Sequence, residues 1–403
     1  MNCLYNLYYY YYYRVEMSLL LAILLLTQSC SSFSSSAAPA PATGGNEVEV
    51  NPTFVTIDDG AVCLTGAPAA YYFFKGFGNG TRNWLIYLNG GGWCKNITDC
   101  EQYIDYKGGA WPLPTPVADS TITLTNTNED ENPEFYNWNK VSVRYCDASS
   151  FTGNSQITIR NGTTYYFRGA RIFKAITQEL LAKGMGNAEN ALLVGSSAGG
   201  VAATIYCDTF RSFLGSTSRV KCFSDSGYFF PSKRHSRESK FVPIFEGLVD
   251  MHGSTPALPK SCTSRLPAAL CFFPQNLQGD IRTPIFFLMS AFDTVQINYT
   301  LSNEDAVCAT KGNCTSSQMK ALQELRLELL DVWPNERNKS LKGLLVYSPN
   351  SHCLLWGSGW NNLAPGGTKQ TYAEVFRDWY FDRRVVDVID TYPCPYNCTT
   401  SYY

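Results

Sequence analysis

Residues 191–204 read "ALLVGSSAGGVAAT": a short run of small apolar residues, two serines set among glycines, and a return to apolar residues. Gly195, Ser197 and Gly199 satisfy Gly-x-Ser-x-Gly, a pattern that chance supplies readily in a chain of this length. The flanks carry more information. Ala191–Val194 predicts a short buried strand and Ala198–Phe213 a helix that begins at once, so Ser197 falls on a strand–turn–helix corner where glycines let neighbouring backbone crowd close. That is the setting of a nucleophilic serine exposed above a sheet, and it requires partners elsewhere in the chain.

Outward from this corner the chain alternates strands and helices. Short apolar runs at Trp84–Leu88, Val141–Tyr145, Leu192–Gly195, Val220–Ser224, Ile285–Met289 and Leu344–Tyr347 have the character of buried parallel strands. Gly169–Lys183 sets Ile172, Phe173, Ile176 and Leu180 on one helical face and stops at Gly184. Ser317–Leu330 and Thr371–Phe381 predict further helices. Such alternation implies an α/β fold, a mostly parallel central sheet with helices on both faces.

A nucleophilic serine needs a base, and histidine suits neutral pH. The chain has three. His352 follows the last predicted core strand, His235 stands in the polar stretch "SKRHSRESK", and His252 follows a helix-like segment, so position selects His352. Two aspartates end strands and could orient it: Asp293 in "FFLMSAFDTVQ" and Asp225 in "CFSDSG". Asp293, which follows the strand Ile285–Met289 and precedes His352 in the order serine, acid, histidine, is the favoured acid, Asp225 is its rival, and a structural turn is the bland reading of either. Gly90, Gly91 and Gly92 directly after the strand "LIYL" can offer backbone N–H groups to an oxyanion, with Ala198 after the nucleophile supplying another; a plain tight turn is the competing reading.

Composition bounds the function. A net charge of −2 over 403 residues argues against a nucleic-acid binder. Residues 18–27, "SLLLAILLLT", have signal-peptide length, so residues 1–30 are read as a signal peptide or an uncleaved signal anchor, 31–50 as a disordered Ser/Ala/Pro-rich linker, 51–398 as one domain and 399–403 as a tail. Thirteen cysteines between Cys63 and Cys398 fit disulfides in an oxidising compartment, and the odd number leaves one over. Their spacing is not that of a zinc site. Sequons at Asn79, Asn96, Asn161, Asn298, Asn313, Asn338 and Asn397 point the same way, to a secreted glycoprotein. Among the many aromatics, Trp93, Trp111 and Trp138 are candidates to stack on sugar rings, with ordinary core packing as the alternative.

Extended blocks then carry a resemblance: "NWLIYLNGGGWC", "ENPEFYNWNKVSVRYCDASSFTG", "YYFRGARIFKAITQELLAKGM", "ALLVGSSAGGVAATIYCDTFRSF", "CFFPQNL", "IFFLMSAFDTVQI" and "DWYFDRRVVDVID". Over nearly all of Phe54–Cys398 the chain resembles the pectin acetylesterases, in the group that also contains the animal carboxylesterase Notum. The resemblance implies an α/β-hydrolase-like fold, a triad on Ser197, Asp293 and His352, oxyanion donors on Gly91, Gly92 and Ala198, and no metal or cofactor. It implies a monomeric secreted or cell-wall esterase that removes O-acetyl groups from acetylated homogalacturonan. Alternatives are a Notum-like deacylation of lipid-modified protein, or an inactive glycan-binding relative. The chain departs from plant members at Asn89, Ser196, Phe292 and Val295, which touches substrate choice more than catalysis.

Overall fold

The computed structural model describes residues 48–390 apart from 57–59, 107–114, 236–239, 334–340, 358 and 367. The leader, most of the expected linker, the tail, Trp111, Asn338 and Asn397 therefore lie outside the described residues.

The body is a nine-stranded sheet. Its strands are β1 (Pro52–Phe54), β2 (Ala70–Phe74), β3 (Asn83–Leu88), β4 (Asn139–Val143), β5 (Asn190–Ser196), β6 (Arg219–Asp225), β7 (Ile285–Ser290), β8 (Lys342–Tyr347) and β9 (Asp387–Ile389). Their spatial order is β9-β8-β7-β6-β5-β3-β4-β2-β1. Neighbours from β4 to β9 pair in parallel, and β1 and β2 close one edge with antiparallel pairing. The expected mostly parallel sheet is therefore present. Glu49–Val50, which the sequence reading places in the linker, forms a short strand against Val117–Ala118.

Strand side chains alternate between two cores. Ile86 and Leu88 of β3, Leu193 of β5 and Phe287 and Met289 of β7 face one core, shared with helices α1 to α7; Leu85, Tyr87, Leu192, Val194, Phe286 and Leu288 face the other, shared with α8. The helices are α1 (Ile97–Tyr106), α2 (Gly169–Ala182), α3 (Ala198–Ser212), α4 (Phe241–Asp250), α5 (Thr294–Thr300), α6 (Asn303–Lys311), α7 (Ser316–Val332) and α8 (Tyr372–Tyr380). Of these, α2, α3, α4 and α7 supply much of the first core: Ile172, Phe173 and Ile176 of α2, Val201 and Ile205 of α3, Phe245 of α4, and Leu322 and Leu325 of α7. Because both faces are covered, the central strands read as unbroken apolar runs.

Five disulfides staple the described residues: Cys63–Cys146, Cys94–Cys100, Cys207–Cys222, Cys262–Cys271 and Cys308–Cys314. Cys207 on α3 and Cys222 on β6 bind the helix behind the serine to the next strand. Cys353 stands outside these five pairs and is buried.

The strand order places a crevice. β3 and β5 are adjacent, but the chain leaves β3 for β4 on one side and leaves β5 for β6 on the other. Loops from their carboxyl ends diverge there, and ligands of open α/β sheets bind in such crevices.

Candidate active site

Ser197 stands at the end of β5, in that crevice. Its backbone has φ 58° and ψ −124°, a strained conformation for a residue with a side chain, and α3 starts with the next residue. Backbone contacts enforce the turn. A Cβ on Gly195 would lie 2.0 Å from the carbonyl oxygen of Gly199, and one on Gly199 would lie 2.0 Å from that of Leu88. Both glycines of the motif are needed because main chain passes where a side chain would be.

The glycine loop meets the same turn. Leu88 is in register with Gly195, which carries residues 89 and 90 alongside Ser196 and Ser197. A Cβ on Gly90 would lie 2.8 Å from the Ser197 Cβ and 3.3 Å from the Ala198 nitrogen. Gly91 packs on Tyr145, and Gly92 adopts φ +83°. The Tyr145 hydroxyl donates to the Gly92 carbonyl at 2.7 Å and accepts from the Ser150 N–H at 2.9 Å, while Trp93 Nε1 donates to Ser150 Oγ at 2.8 Å. Asn89 is pinned by its amide, which donates to Ser142 Oγ and the Val143 carbonyl. The structure thus brings Gly90 against Ser197 and Ala198, with Gly91 and Gly92 following in the same loop.

Behind that loop lies a segment that sequence reasoning did not single out. Ala148, Ser150 and Phe151 all have positive φ, held around the Asp147 carboxylate, which accepts from Ser149 Oγ and from the Phe151 N–H. Complete burial raises the Asp147 carboxyl to about 6 despite these bonds. No residue type in "DASS" signals this backbone, so only the tertiary contacts reveal it.

Asp293 and His352 come together. His352 Nδ1 lies 2.6 Å from Asp293 Oδ2, and both side chains are almost wholly buried. Asp293 also caps α5, its Oδ1 accepting from the N–H groups of Val295 and Gln296 at 2.9 Å. One carboxylate oxygen is thereby fixed by the helix and the other is left for the imidazole. The Phe229 ring flanks His352 at 6.2 Å between centroids.

The other sequence candidates have different surroundings. Asp225 is fully buried and accepts from Ser196 Oγ at 2.7 Å, with burial raising its carboxyl to about 6. His252 is buried against the Phe167 ring, its Nε2 2.8 Å from the Cys94 carbonyl, and burial lowers it to about 3. His235 lies 3.9 Å from a Glu324 carboxylate oxygen and is only partly exposed, rather than the solvated residue its polar stretch implies. Trp138 packs against Phe135 and Tyr380 in the core, which corrects its reading as a sugar platform. The five described sequon asparagines, Asn79, Asn96, Asn161, Asn298 and Asn313, are exposed.

Among the described residues, Cys94, Cys100 and His252 converge as metal ligands would, but the two sulfurs are joined to each other and cannot act as thiolates.

The pectinacetylesterase family profile matches residues 44–401. The chain belongs to this family. Pectin acetylesterase 7 of Arabidopsis thaliana is 37% identical over 350 residues, covering 83% of this chain and 87% of that protein. Pectin acetylesterase 11 of the same plant is 37% identical over 360 residues, covering 86% and 91%. Notum1' of Xenopus laevis, a palmitoleoyl-protein carboxylesterase, is 29% identical over 323 residues, covering 76% of this chain and 62% of that protein. The Wnt deacylase Notum from Drosophila has a solved structure that superposes with a TM-score of 0.72 at 20% identity, over 85% of this chain and 96% of that one. The fold is accordingly α/β-hydrolase-like, and this member of the pectinacetylesterase family is a carboxylic ester hydrolase.

Proposed function

We propose that this pectinacetylesterase removes O-acetyl groups from acetylated homogalacturonan, with Ser197 as nucleophile, His352 as base and Asp293 as the acid that orients it. The observation that carries the site assignment is the 2.6 Å contact between His352 Nδ1 and an Asp293 carboxylate already fixed as a helix cap, just after β7 and at the same carboxyl edge of the sheet as the strained Ser197 turn after β5. His352 takes the serine proton as Oγ attacks the ester carbonyl, and Asp293 holds the tautomer and stabilises the imidazolium that forms. Gly91, Gly92 and Ala198 donate to the oxyanion, the sugar hydroxyl leaves with the proton from His352, and water then releases acetate from the acyl-serine.

Packing that runs from the Phe229 ring beside His352 into the neighbouring phenylalanines supports a small acyl group. Phe229, Phe241, Phe245, Phe272 and Phe273 are all 0% exposed, so none of them lines a space that a water-sized sphere can enter. They fill that space with one another: Phe229 and Phe241 lie 4.9 Å apart, and Phe245 lies 4.9 Å from both Phe272 and Phe273. An acetyl group needs no such space, whereas a long acyl chain would have to part these rings. We read the protein as secreted on its leader-like segment and its disulfides; among the described residues no helix is long and apolar enough to cross a membrane.

The test is acetate release from acetylated pectin by the purified secreted protein, beside short-chain and long-chain p-nitrophenyl esters, with Ser197→Ala as control. Serine-dependent acetate release with little long-chain activity is expected. Preferential long-chain hydrolysis would replace this reading with a lipid-type deacylase, and equal rates in wild type and folded Ser197→Ala would leave a glycan-binding protein.

A further inference from the structure

Asp225 and Ser226, at the carboxyl end of β6, touch both halves of the site. The Asp225 carbonyl accepts from the Ser197 N–H at 2.9 Å, and its Oδ2 accepts from Ser196 Oγ at 2.7 Å. These contacts hold the serine turn. Asp225 Oδ1 also accepts from the Leu354 N–H and Oδ2 from the Leu355 N–H, each at 3.3 Å, while Ser226 Oγ accepts from the Cys353 N–H at 2.9 Å. Three successive N–H groups directly after His352 are therefore gathered on Asp225, the last residue of β6, and Ser226, which follows it. Cys353 has φ +61° and Ser226 φ +50°, so both sides of this joint adopt backbone that side chains ordinarily avoid.

A second chain of bonds backs the carboxylate. Trp356 Nε1 donates to the Tyr87 hydroxyl at 2.7 Å, and that hydroxyl donates to Ser196 Oγ at 2.6 Å. Trp356 leaves the histidine loop and Tyr87 stands on β3, so the network closes a ring through the loop, β3, the serine turn and β6. The chain of bonds runs from Trp356 through Tyr87 and Ser196 and ends on the Asp225 carboxylate.

We infer that Asp225 is a positioning residue of the reaction, which sets the separation of Ser197 and His352 by holding the serine turn and the histidine loop on one carboxylate. This rests on the assignment of Ser197 and His352 to catalysis. Asp293 orients the imidazole from one side; Asp225 places the loop that carries it. A displacement of about 1 Å between nucleophile and base costs roughly a hundredfold in rate. Substrate binding is left largely alone, since no contact of Asp225 reaches outward from the core.

The experiment uses the full secreted chain and p-nitrophenyl acetate. Asp225→Asn keeps the shape of the side chain but turns one of its two acceptors into a donor, and Ser226→Ala removes the acceptor of the Cys353 N–H together with the hydroxyl's own bond to Asp225 Oδ1. Active-site titration with a phosphonate counts competent enzyme, so that kcat is not confused with the folded fraction. Expected are a fall in kcat of about a hundredfold for Asp225→Asn and about tenfold for Ser226→Ala, with KM within about twofold. If Asp225→Asn fails to fold, Ser226→Ala decides alone. Wild-type kcat in the folded variants, with Ser197→Ala inactive, would overturn the positioning role by itself; wild-type rates in Ser197→Ala would overturn it together with the catalytic assignment.

Discussion

Gly90 lies so close to Ser197 that a Cβ built on it would sit 2.8 Å from the serine Cβ and 2.4 Å from the Ser196 carbonyl oxygen. The loop after β3 and the turn after β5 are in van der Waals contact through a position that has room for hydrogen alone.

A methyl group at Gly90 therefore has to push the loop and the turn apart. Gly90→Ala is expected to lower kcat by about a hundredfold or more, because the donors of Gly91 and Gly92 retreat from the oxyanion. Steady-state kinetics on a short-chain ester checks this, alongside a thermal melt to show that the variant is folded. Wild-type kcat in Gly90→Ala would mean that the loop adjusts freely and takes no part in catalysis.

Asp293 has two separable jobs, one for each oxygen. Asp293→Asn can keep its amide oxygen on the Val295 and Gln296 N–H groups, so the cap of α5 survives, but the amide nitrogen then faces His352 Nδ1 and imposes the wrong tautomer. A loss of about ten-thousandfold in kcat is expected with little loss of stability. Asp293→Ala removes the cap as well and is expected to cost about 1 kcal/mol more in denaturant unfolding.

Tyr145 holds Gly92 from behind, donating to its carbonyl and accepting from the Ser150 N–H. Tyr145→Phe leaves the buried Ser150 N–H and the half-buried Gly92 carbonyl without that partner, at a cost of about 1–3 kcal/mol. The glycine loop is expected to loosen, with kcat falling about tenfold while KM changes less. Urea denaturation and kinetics on the same preparation measure the two effects together.

Three buried groups shape stability against pH. Asp147 and Asp225 are raised to about 6 by burial, so between about 6 and the ordinary carboxylate range of 3.8 the folded state binds more protons than the unfolded one, and stability grows as pH falls. His252 is lowered from 6.5 to about 3, so over that range the unfolded state binds the extra proton, and stability shrinks as pH falls. Two carboxyls outweigh one imidazole where the windows overlap. The urea midpoint is therefore expected to rise from pH 6 to pH 5, and to rise further in His252→Gln, which lacks the opposing group. A midpoint that falls over that interval in the His252→Gln variant would show that the two carboxyls stay ionised.

The parts legible in the sequence are those that local chemistry specifies. β3, β5, β6, β7 and β8 announce themselves as apolar runs because both sheet faces are buried, and α2 by the spacing of Ile172, Phe173, Ile176 and Leu180. β4 starts two residues earlier than its apolar run suggests, since Asn139 and Lys140 are polar yet buried. Lys140 Nζ donates to the carbonyls of Asn126, Phe135 and Tyr136, which no local pattern reveals.

By itself the sequence determined the alternation of strands and helices, the serine corner, the glycine loop and the two aspartates that end strands, because each follows from residue types within a few positions of one another. Only the tertiary structure separates the surroundings of those aspartates. Asp225 and Asp293 both end buried strands, and what separates them is the partner each meets across the sheet: the serine turn and loop backbone for one, the imidazole for the other. That outcome depends on the strand order and on how the loop after β8 returns over β6 and β7, relationships among residues 29 to 130 positions apart that no local window contains.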